Sequence, residues 1–476
     1  MTRRAARDCA RIIAASAAAS SAPAALAAAG AASTFSGVGL SPFWAVPFAG
    51  LLLSLAVWPI FDAEFWHHHY GKLSAAWALA LLVPFSVVFG MDETLHQVMH
   101  TLLLEYLPFV ILLFALYTVS GGIAVRGTLV GTPKLNTALL TIGAMLASAM
   151  GTTGAAMLLV RPLLRANEAR KNRVHVVVFL IILVGNIGGA LTPLGDPPLF
   201  IGFLNGVEFF WTTRSLALPT LVMSAALLGI FYALDSWLWR REQPPRPAAY
   251  EPLAIDGAVN FTLIGGVVGA VLLSGVWKPG ITFEVAGTGV ELQDLVREIA
   301  LLALALLSLA LTPRAIREGN AFTWEPIAEV AKLFAAIFVT IIPMIAMLQA
   351  GRSGAFAGVV ELVTDSARGE PRHLMYFWTT GLLSAFLDNA PTYLVFFNLA
   401  GGDPAALMGP LRKTLVAISA GAVYFGALTY VGNAPNFMIK AIAEQRGVAM
   451  PSFFAYLGYA AALVLPLCLA ISLVYG

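Results

Sequence analysis

GALTPLGDPP, from Gly189 to Pro198, returns 237 residues later as GALTYVGNAP, from Gly426 to Pro435. Each copy interrupts a long apolar segment, so one hydrophobic chain has been built twice. Glycine and proline inside a membrane helix break its hydrogen-bond ladder, and such backbone is tolerated at membrane depth only inside protein or against a wet cavity. A corresponding pair of interruptions in two halves of a chain is the sequence mark of a transporter's binding site.

Of the 476 residues, 59% are apolar and 11% charged, and the mean hydropathy is +0.82. These values exclude an ordinary soluble domain and predict an all-α polytopic membrane protein. The net charge of +2 gives no sign of nucleic-acid binding, because the basic residues are scattered over loops rather than gathered on one face. Cys9 and Cys468 are too few for a disulfide framework or a cysteine-based zinc site. His67, His68 and His69 stand in a row, and His96 and His100 are one helical turn apart. Neither set has the HExxH pattern or carboxylate partners, so they read as loop histidines, and no cofactor is expected.

Residues 1–33 carry Arg3, Arg4, Arg7 and Arg11 ahead of an alanine-rich run, and read as a signal peptide or a weak signal anchor. Apolar runs follow near 44–60, 73–90, 102–122, 216–238, 257–277, 297–312, 326–349 and 452–475, most of about the length a bilayer needs. Segments 174–205 and 413–438 contain the repeated breaks. Runs 135–162 and 374–400 are punctuated at their middles by Gly, Thr or Pro and read as re-entrant hairpins, the alternative being a straight span for each. The expected architecture is about ten transmembrane helices plus two opposed hairpins, with broken helices at the site.

Basic residues set the orientation. Arg161, Arg165, Arg170, Lys171 and Arg173 occupy one loop and Arg240, Arg241 and Arg246 another, which places both at the cytoplasm by the positive-inside bias; Arg314 and Arg317 mark a further return. Arg412 and Lys413 fall on the outer side, against the bias. Five crossings separate the hairpins. That odd number makes them open from opposite faces, as an inverted repeat requires. The reading is a transporter domain over 40–476, with repeats at about 100–240 and 324–476 and linking scaffold helices within 256–312, in a bacterial-type inner membrane.

SAMGTTGAAML, from Ser148 to Leu158, aligns on SAFLDNAPTYL, from Ser384 to Leu394, at an offset of 236. That alignment sets Thr152 and Thr153 opposite Asp388 and Asn389, while Asp196 pairs with Asn433. The candidate ligands are Thr152, Thr153, Asn186, Thr192, Gly195 and Asp196 from the first half, and Asp388, Asn389, Thr392, Thr429, Gly432 and Asn433 from the second. Hydroxyls, amides and freed carbonyls suit a hard cation, and half-helix N-termini suit an anion. A sodium site is expected at Asp388, Asn389, Asp196 and Asn433. An intramembrane carboxylate is a functional hypothesis by default. It can exchange a proton for a metal ion, because burial favours the neutral form and a cation the charged one. The plainer reading makes Asp196 and Asp388 helix caps. Glu105 and Glu329 sit in corresponding spans, and Lys332, one turn from Glu329, predicts an interfacial ion pair.

Four stretches carry a resemblance: GNIGGALTPLGDPPLF (Gly185–Phe200), EVAKLFAAIFVTIIPMIAML (Glu329–Leu348), FLDNAPTYLVFF (Phe386–Phe397) and GALTYVGNAPNFM (Gly426–Met438). They are similar to the citrate transporter and sodium/proton antiporter-like branch of the ion transporter superfamily, over roughly residues 40–476. The resemblance implies a scaffold domain, a transport domain with two opposed hairpins, and a homodimer in the lipid bilayer. The cargo it implies is a small inorganic cation or an organic anion, with sodium or protons as coupling ion. Carboxylate carriers of the superfamily are marked by Ser-Asn-Thr at each hairpin tip. This chain departs from that pattern, with Gly151-Thr152-Thr153-Gly154 at one tip and Asp388-Asn389-Ala390-Pro391-Thr392 at the other. An acid at the tip would repel citrate unless a cation lies between them, and no buried arginine is evident to compensate. The expected function is sodium/proton antiport by alternating access, the alternative being cation-coupled citrate or dicarboxylate symport. A channel would share the fold without the coupling, and an embedded enzyme lacks a nucleophile and base pair.

Overall fold

The computed structural model describes residues 35–242, 250–320, 322–365 and 370–475, and those from Gly37 onward form one compact unit. The predicted leader at 1–33, with Cys9, lies outside the described residues, as does Arg246.

Helices α1 (Val46–Phe61) and α2 (Ala63–Phe89) are joined at Asp62, whose carboxylate caps α2 by accepting the Phe65 N–H at 2.8 Å. The next span runs through α3 (Met91–Thr101), a π-helical turn at Leu102–Tyr106, and α4 (Leu107–Ser120). After β1 (Ala124–Arg126) comes a helical hairpin of α5 (Pro133–Met150) and α6 (Thr152–Ala166). A broken helix follows, α7 (Val174–Leu183) and α8 (Pro197–Leu204), and then α9 (Phe209–Glu242).

The ribbon strand β2 (Ala254–Asp256) pairs with β1 and leads into α10 (Val259–Val276). A small hairpin of β3 (Thr282–Val285) and β4 (Thr288–Glu291) precedes α11 (Leu292–Leu311) and the short α12 (Arg314–Gly319). Helices α13 (Glu325–Thr340) and α14 (Ile342–Gln349) form one span bent by 44°. After the short α15 (Ala357–Val363), a second helical hairpin is built from α16 (His373–Leu387) and α17 (Asn389–Leu399). The short α18 (Pro404–Met408), a second broken helix of α19 (Arg412–Phe425) and α20 (Ala434–Gln445), and α21 (Phe453–Tyr475) complete the chain.

By length and composition, seven described helices can cross a membrane, or eight with the bent pair as one span. The two other expected spans are α11, whose first turns carry Asp294, Arg297 and Glu298, and α19 with α20, which the second GALT break divides. The fold is all-α and polytopic. The first broken helix, with the 3-10 turn at Ile187–Leu191, is 83% buried against 17% for α2 and 22% for α1. The irregular backbone therefore lies inside protein, where its freed polar groups find partners.

Loops sort to two ends. At one, Arg165 donates to the Val125 carbonyl, Arg170 meets Glu242, Arg173 donates to the Gly447 carbonyl and Asn320 donates to the carbonyls of Gly121 and Ile123. The first hairpin begins and ends there, with the Gly131 N–H on the Ala166 carbonyl at 2.7 Å. At the other end, Glu208 meets Met408, and Arg412 donates to Ser215. The base of the second hairpin lies there, closed by Tyr376 Oη on the Leu399 carbonyl. Each hairpin packs on the broken helix of the opposite half, α6 on α20 and α17 on α8.

The ion pair expected between Glu329 and Lys332 does not form. Glu329 lies beside the Trp66 indole, and the Lys332 ammonium sits over the Tyr70 ring at 5.4 Å from its centroid, so each side chain is held by an aromatic neighbour on α2.

Candidate functional site

The two GALT breaks are built alike. Each begins with a 3-10 turn, Ile187–Leu191 in one half and Gly426–Leu428 in the other, and each restarts as a helix with proline in its first turn. The Thr192 hydroxyl donates to the Ser148 carbonyl, and the Thr429 hydroxyl donates to the Ala385 carbonyl. Both hydroxyls therefore clamp a broken helix to the last turn of a hairpin. Thr429 Oγ1 also accepts from the N–H groups of Val431 and Gly432, so its oxygen is largely committed to backbone. The glycines allow the same approach: a Cβ on Gly195 would collide with the Gly189 carbonyl, and one on Gly432 would lie 2.6 Å from the Gly426 carbonyl oxygen. The Gly195 carbonyl is left free to accept the Thr152 N–H at 2.9 Å.

Asp196 is where everything meets. It precedes α8 but does not cap it with its side chain. Its carboxylate turns instead toward both hairpins and the other break. Oδ1 accepts from Asn433 Nδ2 at 2.9 Å and from the Thr152 hydroxyl at 3.3 Å, while Oδ2 accepts from Asn389 Nδ2 at 2.7 Å. Asp196 is 1% exposed, and all three donors are neutral. The oxygen of the Asn389 amide, Oδ1, is buried with no hydrogen-bond partner among the described residues. Behind this group Asn433 Nδ2 also donates to the Gly185 carbonyl and to Asn186 Oδ1, and Asn186 Nδ2 donates to Asn436 Oδ1 at 2.7 Å. Asn436 in turn donates to the carbonyls of Gly426 and Thr429. A chain of amides thus runs from one break to the other and holds the Asn433 side chain in place.

Residues 37–475 match the family described as "Putative citrate transport". The chain belongs to this family. No curated protein matches it. Family membership makes the chain a multi-pass membrane transporter, and the site between the hairpin tips is where its halves meet.

In this family member the hairpins pair differently from the sequence alignment. Gly151 turns the first tip at φ 80°, ψ 150°, and Asp388 turns the second at φ 77°, ψ 141°. These two residues are equivalent, so Thr152 pairs with Asn389, and Ser148 with Ala385, as the threonine clamps also require. The offset is 237 throughout, and no insertion separates hairpins from breaks. Aligning Thr152 on Asp388 matched polar side chains, whereas the backbone matches the two turning residues.

The capping alternative divides between the two acids. Asp388 does cap α17, accepting the Ala390 N–H at 3.1 Å, and its carbonyl accepts the Thr392 hydroxyl at 2.7 Å. It is half-buried and lies within electrostatic range of Asp196. Thr153, half-buried on α6, makes none of the hydrogen bonds to Asp196. Of the expected ligands, the fold thus brings Thr152, Asp196, Asn389 and Asn433 together, with Asn186 behind them. Asn436 was missed. Its signal was present in the GNAPN run, where it follows Asn433 by one helical turn.

Proposed function

We propose that the chain is a secondary active transporter that exchanges sodium, or a similar hard cation, for protons by alternating access. The observation that carries this reading is the charge of the central group: a buried carboxylate held by three neutral donors, beside an amide oxygen with no hydrogen-bond partner among the described residues. A buried carboxylate needs a proton or a cation to be stable. Asn389 Oδ1 and Asp196 are oxygen donors of the kind a hard cation takes. Sodium and protons would compete for Asp196, with Asp388 nearby adding to the negative potential. Ligands from both halves meet at one point, so movement of the two hairpins and two broken helices against the other spans would expose the site first to one side and then to the other. The hairpins would then be re-entrant, the first opening from the cytoplasm and the second from outside.

A second reading, cation-coupled uptake of citrate or a dicarboxylate, is favoured by the family description. It requires the cation to lie between substrate and Asp196, because like charges about 4 Å apart at an effective dielectric near 20 cost about 4 kcal/mol. The buried arginines do not supply that charge. Arg170 pairs with Asp235 at 2.5 Å, Arg297 with Asp294 at 2.8 Å, and Arg317 donates to the Thr118 carbonyl at 2.6 Å.

Purified protein in liposomes with a trapped pH dye separates the two readings. Sodium or lithium pulses should move protons. No proton movement, together with accumulation of labelled citrate on a sodium gradient, would replace the first reading by the second. Flux that persists with no gradient of the coupling ion would indicate a channel.

A further inference from the structure

A cavity of about 240 Å³ opens at the base of the first hairpin, at the end of the molecule where the basic loops gather. Arg161 and Arg165 of α6, Arg446 just after α20, and Arg126 of β1 line it, together with Asp256 and residues of α12. Arg126 is ion-paired with Asp256. The other three guanidinium groups form no ion pair among the described residues. Among the described residues Arg165 donates only to a neutral acceptor, the Val125 carbonyl. Arg161 is half-buried, and its Nη1 is buried with no hydrogen-bond partner among the described residues. Arg161 and Arg446 are also close enough to repel each other. Like charges gathered in one wall and a buried unpaired N–H are both unfavourable, and a single anion relieves both.

We propose that this cavity binds a phosphate-type oxyanion through Arg161, Arg165 and Arg446. Guanidinium groups match such anions because their N–H pairs can engage two oxygens at once. The volume is several times the roughly 30 Å³ that one water molecule occupies in the liquid, so a small anion fits. Arg161 lies nine residues beyond Thr152 on α6, roughly 14 Å along the helix from the hairpin tip, so this site is separate from Asp196. The anion is either a solute or the phosphate headgroup of an anionic lipid. Bound there, it joins the hairpin base and Arg446 to the β1–β2 ribbon and α12, and so restrains movement between them. That last consequence rests on the transport reading, whereas binding does not.

The test uses full-length protein in nanodiscs of zwitterionic lipid, titrated calorimetrically with inorganic phosphate and with pyrophosphate. A parallel sample in discs containing phosphatidylglycerol is examined by native mass spectrometry for retained lipid. Saturable binding is expected in at least one arm, and the arm that responds identifies the source. Binding should weaken about tenfold or more in Arg161→Gln and in Arg446→Gln, the loss of one charge-assisted hydrogen bond. It should be unchanged in Arg352→Gln, which lies at the opposite end. Arg446 is exposed, so its variant serves even where Arg161→Gln folds poorly. No saturable binding in either arm, or binding that both variants leave intact, overturns the proposal. Binding is read without any ion gradient, so this outcome leaves sodium/proton exchange standing, and failure of exchange leaves the anion site standing.

Discussion

The two halves of the site share a backbone and differ in charge. Both hairpins turn through one residue at positive φ, both breaks are clamped by a threonine hydroxyl, and both need glycine where the chain passes itself. Yet glycine makes the first turn and Asp388 the second, and Asp196 of the first break faces Asn433 of the second. Shape is symmetric because each half must form the same cradle. Charge is asymmetric because two buried carboxylates side by side at Asp196 and position 433 would repel. In the proposed exchange, one acid with three neutral donors would hold one cation or one proton.

The largest effect should come from making the breaks alike. Asp196→Asn removes the only charge of the central group, and exchange in proteoliposomes should fall to background while the protein still elutes as a folded species. In the native protein, apparent sodium affinity should weaken as pH falls, because protons and sodium compete for one carboxylate. Flux that survives Asp196→Asn would sever the link between asymmetry and ion binding.

Next come the close approaches. Gly432→Ala forces a Cβ to 2.6 Å from a backbone oxygen, and overpacking of this kind costs about 1–3 kcal/mol. Gly195→Ala brings its Cβ closer still to the Gly189 carbonyl and should lower folded yield and thermal midpoint more. Equal effects would mean that the halves are not packed differently. The threonine clamps should follow the opposite order. Thr429→Val and Thr192→Val each leave a carbonyl unsatisfied, at about 1–3 kcal/mol. Thr429→Val should be the worse in a thermal melt, since its oxygen also accepts two backbone N–H groups.

The smallest difference concerns the tips. Asp388 holds a conformation close to one that essentially only glycine adopts, a strain of about 1–3 kcal/mol. Its capping bond offsets part of that strain. Asp388→Gly removes cap and strain together, whereas Asp388→Ala removes the cap alone. The glycine variant should therefore melt higher than the alanine variant, and identical midpoints would show that the turn is unstrained.

Much of this was legible in the sequence, for physical reasons. Apolar run lengths gave the spans, and Gly-Pro punctuation marked the breaks and hairpins, because backbone geometry leaves composition traces. Four of the residues read as ligands, Thr152, Asp196, Asn389 and Asn433, do meet. The pairing of the hairpins was not legible, because an alignment of side chains cannot see that Gly151 and Asp388 share a φ. Nor was the fate of each hydroxyl: Thr192 and Thr429 carry the chemistry of ligands but serve as clamps.

The amino-acid order alone makes this chain a duplicated, all-α membrane protein with its irregular backbone at two matching places. Those facts depend on local preferences of glycine, proline and apolar runs. Packing in three dimensions turns Asp196 away from its own helix toward Asn389 and Asn433, 193 and 237 residues distant, while Asp388 caps its own. The same packing brings arginines scattered from position 126 to 446 to line one cavity. Both outcomes depend on which segments pack together, and the direction of a carboxylate or guanidinium is set by the partners that packing provides.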